Sequence, residues 1–417
     1  MASSPAAHVA IIGAGVIGMS TALYLQRDGW RVTVVDRVDP GRSCSYGNAA
    51  GIALTEVVPI SKPGLMMRVP GWLLDPSGPL SIRPYYFPKL LPWLLRFLAQ
   101  GRTDRVRTLA DAAANLSRSV IHDFDTLLKM AGAQDLVQGD CCATIYDHEA
   151  EYTKAEWEWR LRAEHGFPCR RISGAEMHEL EPDVSPDVGC AVIMDGWRNL
   201  TDPYRFVAAM AERFVRDGGA LVQGDVRSVD MADGEVRRLR LADGASIAAD
   251  KLVVAAGAWS HKLARQLGSK VPLEADRGYN KTMPNTGITL GRQLVYETAG
   301  LAVTPLEQGL RIGGGVELAD VDAPANLARA DLLVDKAKKS LPGLRDTSGE
   351  SWMGPRPGLP DFVPVISASP HVSNVFYAFG HGHVGLTWGP TTGRLIAEMI
   401  AGKPGKIDLR PYRIDRF

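Results

Sequence analysis

The stretch His8-Val9-Ala10-Ile11-Ile12-Gly13-Ala14-Gly15-Val16-Ile17-Gly18, followed by a helical run and then Arg31-Val32-Thr33-Val34-Val35-Asp36, decides the fold. His8 to Ile12 has the length and apolar character of a buried strand. Gly13 to Gly18 is a glycine turn, Met19 to Asp28 a helix closed by Gly29, and Arg31 to Val35 a second strand ending at Asp36. Strand, turn, helix and strand make a βαβ unit. Within it Gly13, Ala14, Gly15, Val16, Ile17 and Gly18 fit GxGxxG, and an acid, Asp36, follows 18 residues after Gly18. The context supplies a mechanism: Gly13 for the tight turn, Gly15 for close backbone approach to a pyrophosphate at the helix N-terminus, Gly18 for helix–strand packing, Asp36 for ribose hydroxyls. The motif alone does not separate FAD from NAD.

Working outward, 417 residues suit two domains sharing one chain. Lys plus Arg and Asp plus Glu are both 47, so nothing in the balance points to nucleic acid. The five cysteines, Cys44, Cys141, Cys142, Cys169 and Cys190, are odd in number and form no CxxC pair. A disulfide framework or zinc site is not expected, no metal is expected, and a reducing compartment is the default. Met1 to His8 is short and rich in small residues, without the pattern of a secretory signal. No run of about 18 apolar residues suggests a membrane span.

Further along, residues 40–60 read as a small-residue loop and 103–131 and 149–165 as helices. Residues 203–217 read as a helix capped by Asp202 with Pro203 in its first turn. Ala220 to Gln223, Glu235 to Leu241 and Leu252 to Ala255 read as strands, and 291–317 alternates like sheet, closing on Gly313 to Gly315. Residues 327–340 suggest a helix ended by Pro342, and the C-terminal part a strand (Val375 to Phe379), a glycine turn and a helix (Thr391 to Ile400). The segment from Tyr85 to Phe97, dense in proline and aromatics, admits three readings: buried core, pocket lid, or a membrane-surface patch carrying Trp93, leucines, Lys89 and Arg96.

Five segments in order resemble the D-amino-acid oxidase-like family of FAD-dependent oxidoreductases, and most of all its bacterial D-amino acid dehydrogenase branch, which includes D-hydroxyproline dehydrogenases. The first is the glycine fingerprint, with Arg37 after Asp36. The second, Cys44-Ser45-Tyr46-Gly47-Asn48-Ala49-Ala50-Gly51, is similar to the family's loop along the flavin; Cys44 replaces the usual Thr and Gly47 an Ala. The third is Ala255-Ala256-Gly257-Ala258-Trp259-Ser260, preceded by Gly224-Asp225-Val226, where the resemblance sets Val226 at the adenine. The fourth, Gly354-Pro355-Arg356-Pro357 followed by Pro360-Asp361, departs from the family at Phe362 and Val363. The fifth is Gly380-His381-Gly382-His383-Val384-Gly385-Leu386-Thr387, which in the family meets the flavin pyrimidine edge. The resemblance covers nearly the whole chain. It implies FAD, held non-covalently because no cysteine lies beyond Cys190.

The implied fold is α/β plus α+β: a Rossmann-like FAD-binding domain over 1–60, 199–268 and 351–417, and a discontinuous sheet-based substrate domain over 61–198 and 269–350. The implied chemistry is oxidation of a carbon–nitrogen bond by hydride transfer from Cα to flavin N5, in which the protein orients the substrate. Arg356 is expected to grip an α-carboxylate with its two-pronged donor edge, or else to pair structurally with Asp361. Tyr279 would bind the carboxylate or cover the pocket, or else be a sheet-face aromatic. His383 lies in the flavin turn, either as a site residue or facing solvent. Tyr46 and Tyr296 are lesser pocket candidates.

Three function classes follow. The first is a dehydrogenase of a small D-amino or cyclic D-imino acid in amino acid catabolism, passing electrons to a quinone or other acceptor. The second is an oxidase of the glycine/sarcosine or L-pipecolate/L-proline type, using dioxygen. The third is a non-catalytic FAD-binding protein. The expected location is cytoplasmic, with 85–97 as the candidate peripheral contact on the inner membrane face.

Overall fold

The computed structural model describes residues 7–75 and 78–417. The N-terminal stretch 1–6, read above as lacking a signal, lies outside the described residues. The first unit is β1 (His8–Ile12), α1 (Val16–Arg27) and β2 (Arg31–Asp36). β1 is buried along its whole length and pairs in parallel with β2 on one side and with Lys251–Val254 on the other. A strand covered on both faces reads as a continuous apolar run, as Val9-Ala10-Ile11-Ile12 does. The complete sheet has six strands in the order Ala220–Gln223, β2, β1, Lys251–Val254, Val375–Phe379, Val365–Ala368. All its pairings are parallel except the last.

α1 begins at Val16, three residues before the expected Met19, because Met19 already donates its N–H to Gly15 O at 2.9 Å. Half of the glycine motif is thus the first helical turn. The C-terminal helix, expected from Thr391, runs Gly385–Ile400 with Pro390 inside it. Proline forgoes one helical hydrogen bond. Burial of Leu386, Trp388, Leu395 and Ile396 around it outweighs that loss. This helix crosses α1 at very short range: a Cβ on Gly393 would lie 2.7 Å from the backbone carbonyl carbon of Ser20.

A second sheet of nine strands carries the other half of the molecule. Its order is Glu350–Gly358, Glu274–Met283, Gly309–Leu318, Leu301–Leu306, Gln293–Tyr296, Cys141–Tyr146, Cys190–Asp195, Arg170–Ser173, with Leu80–Ile82 joining Gly309–Leu318. Its pairings are antiparallel except for two, Gln293–Tyr296 with Cys141–Tyr146 and Leu80–Ile82 with Gly309–Leu318. The fold is therefore mixed α/β with a parallel Rossmann-like sheet and a largely antiparallel second sheet, as the sequence led us to expect. The glycine run Gly313 to Gly315 does not close a strand but lies within one. The expected helix 203–217 forms over Pro203–Arg216, with Asp202 Oδ1 accepting from the N–H groups of Tyr204 and Arg205.

Two segments sit with the opposite half from the one expected. Glu350–Gly358 is hydrogen-bonded along Glu274–Met283 in the large sheet, so Arg356 and Gly354 belong to that sheet. The stretch 103–131 is two helices, Thr103–Ser117 and Val120–Ala131, that pack on the parallel-sheet half. Trp388 Nε1–H donates to Ser117 Oγ at 3.0 Å, and Arg394 meets the buried Asp123 at 2.8 Å. The segment 85–97 is not buried core. It ends a 3-10 turn and forms most of a surface helix, Phe87–Ala99, in which only Leu90 is buried, with Tyr86 buried just before it. Among the described residues no helix is long and apolar enough to cross a membrane.

The helix crossing makes a specific demand. Gly393→Val should force α1 and the C-terminal helix apart and cost about 1–3 kcal/mol or more. Urea unfolding should show a lowered midpoint, with Gly71→Ala, at an exposed position without a positive φ, as the comparison for a glycine change without a close neighbour.

Candidate active site

The glycine turn is shaped by what presses on it. Gly13 has φ +111°, and a Cβ there would lie 2.3 Å from Ala255 O. A Cβ on Gly18 would fall 1.8 Å from Gly13 O. Ala14 N–H donates to Asp36 Oδ2 at 2.7 Å, and Val16 N–H to Ser45 Oγ at 3.1 Å. The N-termini of α1 and of the C-terminal helix open onto one cavity of about 1480 Å³. Helix N-termini favour anions.

Most of the expected cofactor residues line this cavity: Gly13, Gly15, Val16, Ile17, Asp36, Arg37, Cys44, Ser45, Gly47 to Gly51, Val226, Ala255 to Gly257, Trp259, Gly354, Arg356, Gly380 to His383, Gly385 and Leu386. Ala14, Gly18, Val384 and Thr387 do not. Ala14 is committed to Asp36, Gly18 to Gly13, and Val384 is buried in the core. Thr387 pins the loop, its Oγ1 accepting from Ala53 N–H at 2.9 Å. Arg37 stacks on Trp259 at 3.8 Å. Cys44 donates to Pro355 O at 2.9 Å, and burial pushes its thiol up to about 11.

The loop from Cys44 to Ala53 is held from the large sheet. Arg311, only 7% exposed, donates from Nη1 to Asn48 O at 2.8 Å and Tyr46 O at 3.2 Å. Asn280 Nδ2 donates to Gly47 O at 2.6 Å. Gln293 Nε2 and Thr304 Oγ1 both donate to Ala49 O, at 2.9 and 3.0 Å. Inside the loop, Asn48 Oδ1 accepts from Ala50 N–H at 2.7 Å and holds Ala50 at φ +58°.

Arg356 stands on the same face of the sheet as Asp276 and Gly278, paired in register with Asp276. Its Nη1 reaches Asp276 Oδ1 at 3.3 Å and Gly315 O at 3.1 Å. Nη2 lies over Gly278, where a Cβ would be 2.1 Å away. Among the described residues only Nη1 makes hydrogen bonds, and the side chain, 26% exposed, lines the cavity. Burial pushes the Asp276 carboxyl up, opposed by the charges of Arg356 and His383. Asp361, the alternative partner weighed for Arg356, is bound instead by Arg416 at 2.8 Å.

Tyr279 is on the opposite face of its strand from Asp276 and Gly278, sharing that face with Arg277. Its hydroxyl donates to Glu317 Oε2 at 2.6 Å and accepts from Asn326 N–H at 3.2 Å. The buried Arg277 meets the same carboxylate at 3.1 Å. Tyr279 thus commits its hydroxyl to a buried ion cluster, while the residue also lines the cavity. Tyr46 and Tyr296 are likewise committed, to Glu350 at 3.2 Å and Asp147 at 2.5 Å.

His383 lines the cavity with its ring 5.6 Å from Phe362 and Nε2 3.9 Å from Glu56 Oε2. Burial pushes the Glu56 carboxyl up, but His383, Arg162 and Lys62 together hold it at about 2. His381 is buried; its Nε2 lies 2.8 Å from Thr392 Oγ1 and its Nδ1 has no partner among the described residues. Burial pushes its pKa down to about 3, so the ring is neutral.

With this geometry in place, residues 8–399 match the family described as FAD dependent oxidoreductase (DAO). The chain belongs to that family. This flavoprotein is 35% identical over 417 residues to a D-amino-acid oxidase of Bradyrhizobium diazoefficiens, covering 98% of this chain and 99% of the relative. It is 31% identical to a D-amino acid dehydrogenase of Paramagnetospirillum magneticum, with 98% of each chain covered. Its fold is similar to a solved glycine oxidase of Geobacillus kaustophilus, with a TM-score of 0.76, 20% identity and 98% of both chains covered. The flavoprotein's cavity fits FAD: a glycine turn at a helix N-terminus, a carboxylate at the end of β2, a small-residue loop and a second helix N-terminus all face one space.

Sequence reasoning missed Asn280, Gln293, Thr304, Arg311 and Glu56. The loop carbonyls that the first four hold lie 233 to 265 residues away in the chain. The signal was present only as polar residues interrupting apolar strands, which calls for a partner when a strand is buried.

His381 gives the flavoprotein an acid sensitivity. Its folded pKa lies below the ordinary 6.5, so between 6.5 and about 3 the unfolded chain binds a proton that the folded chain refuses. Stability is therefore highest above 6.5 and falls as pH drops. Between about pH 7 and about pH 5 the loss from this group is on the order of 2 kcal/mol. Urea unfolding at both pH values should show a smaller pH dependence in His381→Asn than in the wild type.

Proposed function

We propose that the protein uses FAD to oxidise the carbon–nitrogen bond of a small D-amino acid or cyclic D-imino acid. The observation that carries this is Arg356: a guanidinium with a free Nε/Nη2 edge, fixed by Asp276 and Gly315 O, in the cavity that also holds the dinucleotide turn. A planar donor fork matches a carboxylate with two parallel hydrogen bonds. The likeness to a D-amino-acid oxidase and a D-amino acid dehydrogenase supports an amino acid as the carboxylate's owner.

In this proposal Gly13, Gly15 and the N-terminus of α1 take the pyrophosphate, Asp36 the ribose and Val226 the adenine. The loop Cys44 to Gly51 and the turn Gly380 to Leu386 border the flavin, with neutral His381 among them. Bound there, FAD supplies the hydride acceptor. Arg356 holds the substrate carboxylate and so sets which Cα substituent faces the flavin. Asp276 keeps the guanidinium in place and offsets its charge before substrate arrives. Gly278 leaves the room that the guanidinium occupies. FAD is held without a covalent bond, since all five cysteines lie at or before Cys190. Acid precipitation should accordingly release the yellow chromophore into the supernatant.

The proposed electron acceptor is a quinone. Use of dioxygen is the second reading, favoured by the 35% identity to a protein named as an oxidase. An anaerobic scan of D- and L-amino acids with proline, hydroxyproline, glycine and sarcosine tests the reading. Loss of the flavin absorbance with a D-compound and not its L-enantiomer is expected, and recolouring on readmitting air measures the use of dioxygen. Failure of every compound to bleach the FAD-loaded protein would refute it. Arg356→Met should keep bound FAD but lower kcat/KM by roughly a hundredfold or more. Arg356→Lys should recover only part of that loss.

A further inference from the structure

We propose that Leu65–Leu74 and Phe87–Ala99 form a docking surface for an anionic phospholipid bilayer. Both helices carry apolar side chains toward the cavity, toward solvent, or at the border of the two. Toward the interior, Val69, Trp72, Leu94 and Phe97 line the cavity. Toward solvent, Met67 and Leu74 are each 84% exposed, Tyr85 64% and Leu95 60%. An ordinary surface helix turns a polar face outward. Here Phe87, Pro88, Leu91, Pro92 and Leu95, spaced to fall on one side of the second helix, are all exposed, and Phe87, Leu91 and Leu95 also border the cavity. The two helices are adjacent, since Leu73 and Phe87 border one crevice.

The exposure is concentrated. Eight of the fifteen exposed large apolar side chains among the described residues fall between Met66 and Leu95. A contiguous apolar patch of this kind marks an interaction surface.

Charge selects the occupant. Residues 61–107 carry eight Lys and Arg against two Asp, in a chain whose totals balance at 47 and 47. Arg68, Arg96 and Arg105 have no carboxylate partner among the described residues; Arg68 lies over Trp72, and Arg105 donates to Gln100. Exposed apolar side chains rimmed by unpaired cations are what an anionic lipid surface takes up. A second copy fits less well, because a two-fold contact would set the same cations against one another. The surface stands on its own whether or not the amino-acid reading of the cavity holds. If both hold, the cavity's apolar wall and the lipid-facing surface belong to the same pair of helices.

Flotation of the FAD-loaded protein with vesicles tests the inference. Binding to phosphatidylcholine vesicles containing phosphatidylglycerol, weaker binding to phosphatidylcholine alone, and release by salt are expected. Met67→Glu with Leu74→Glu, and separately Arg96→Glu, should each weaken binding roughly tenfold or more. None of these side chains lines the cavity, so the flavin spectrum should be unchanged, which reports folding independently of lipid. Absence of flotation with phosphatidylglycerol vesicles overturns the inference, as does flotation equal in wild type and Arg96→Glu. A reversible lipid-free dimer abolished by Leu74→Glu overturns it in favour of a second copy.

Discussion

A buried guanidinium with no ion-pair partner among the described residues joins the two halves of this molecule. Arg311 rises from the large sheet and spends its donors on Thr282 and on the carbonyls of Tyr46 and Asn48. Burial pulls its pKa down, against the charges of Asp202, Tyr46 and Glu350. A charge so placed is costly unless its hydrogen bonds are made. The loop from Cys44 to Ala53 must therefore keep its carbonyls turned toward the sheet. Asn280, Gln293 and Thr304 impose the same condition on Gly47 and Ala49.

The site follows from that constraint. With its carbonyls drawn to one side, the loop sets Ser45 against the first turn of α1 and leaves small residues facing the cavity. The parallel sheet contributes the glycine turn and Asp36, the large sheet contributes Arg356 and Asp276, and the loop keeps the two in register. In the proposed function, a cofactor bound by one sheet is thereby presented to Arg356 on the other. Such division between a binding half and an orienting half is what redox chemistry carried by a cofactor requires.

What could be read from the chain and what could not divides along the range of the interactions. Gly13, Gly18 and Asp36 act within one βαβ unit, so their spacing is visible in a short window. Asp202 and Pro203 are equally local and mark their helix correctly. Pro390 misleads because burial against α1 overrides a local rule. Tyr279 lines the cavity as expected, but the commitment of its hydroxyl to a cluster of Arg277, Glu317 and Asn326 could not be read, because strand and loop far along the chain assemble that cluster. Arg356 was legible as a candidate carboxylate binder, but not its support by Asp276 and the empty space over Gly278, which depend on strand register. The segment 85–97 had a composition compatible with core, pocket lid or membrane surface, and only its neighbours separate these: Leu94 and Phe97 line the cavity while Tyr85 and Leu95 are exposed.

The most direct measurement is the FAD dissociation constant of the Arg311→Met apoprotein, followed by flavin fluorescence beside the wild type. Removing the guanidinium leaves the half-buried carbonyls of Tyr46 and Asn48 without this donor, at up to about 1–3 kcal/mol each. The loop should then relax, and FAD binding should weaken roughly tenfold or more. Unchanged affinity in a stably folded variant would contradict the account, because it would mean that the loop holds its shape without the large sheet.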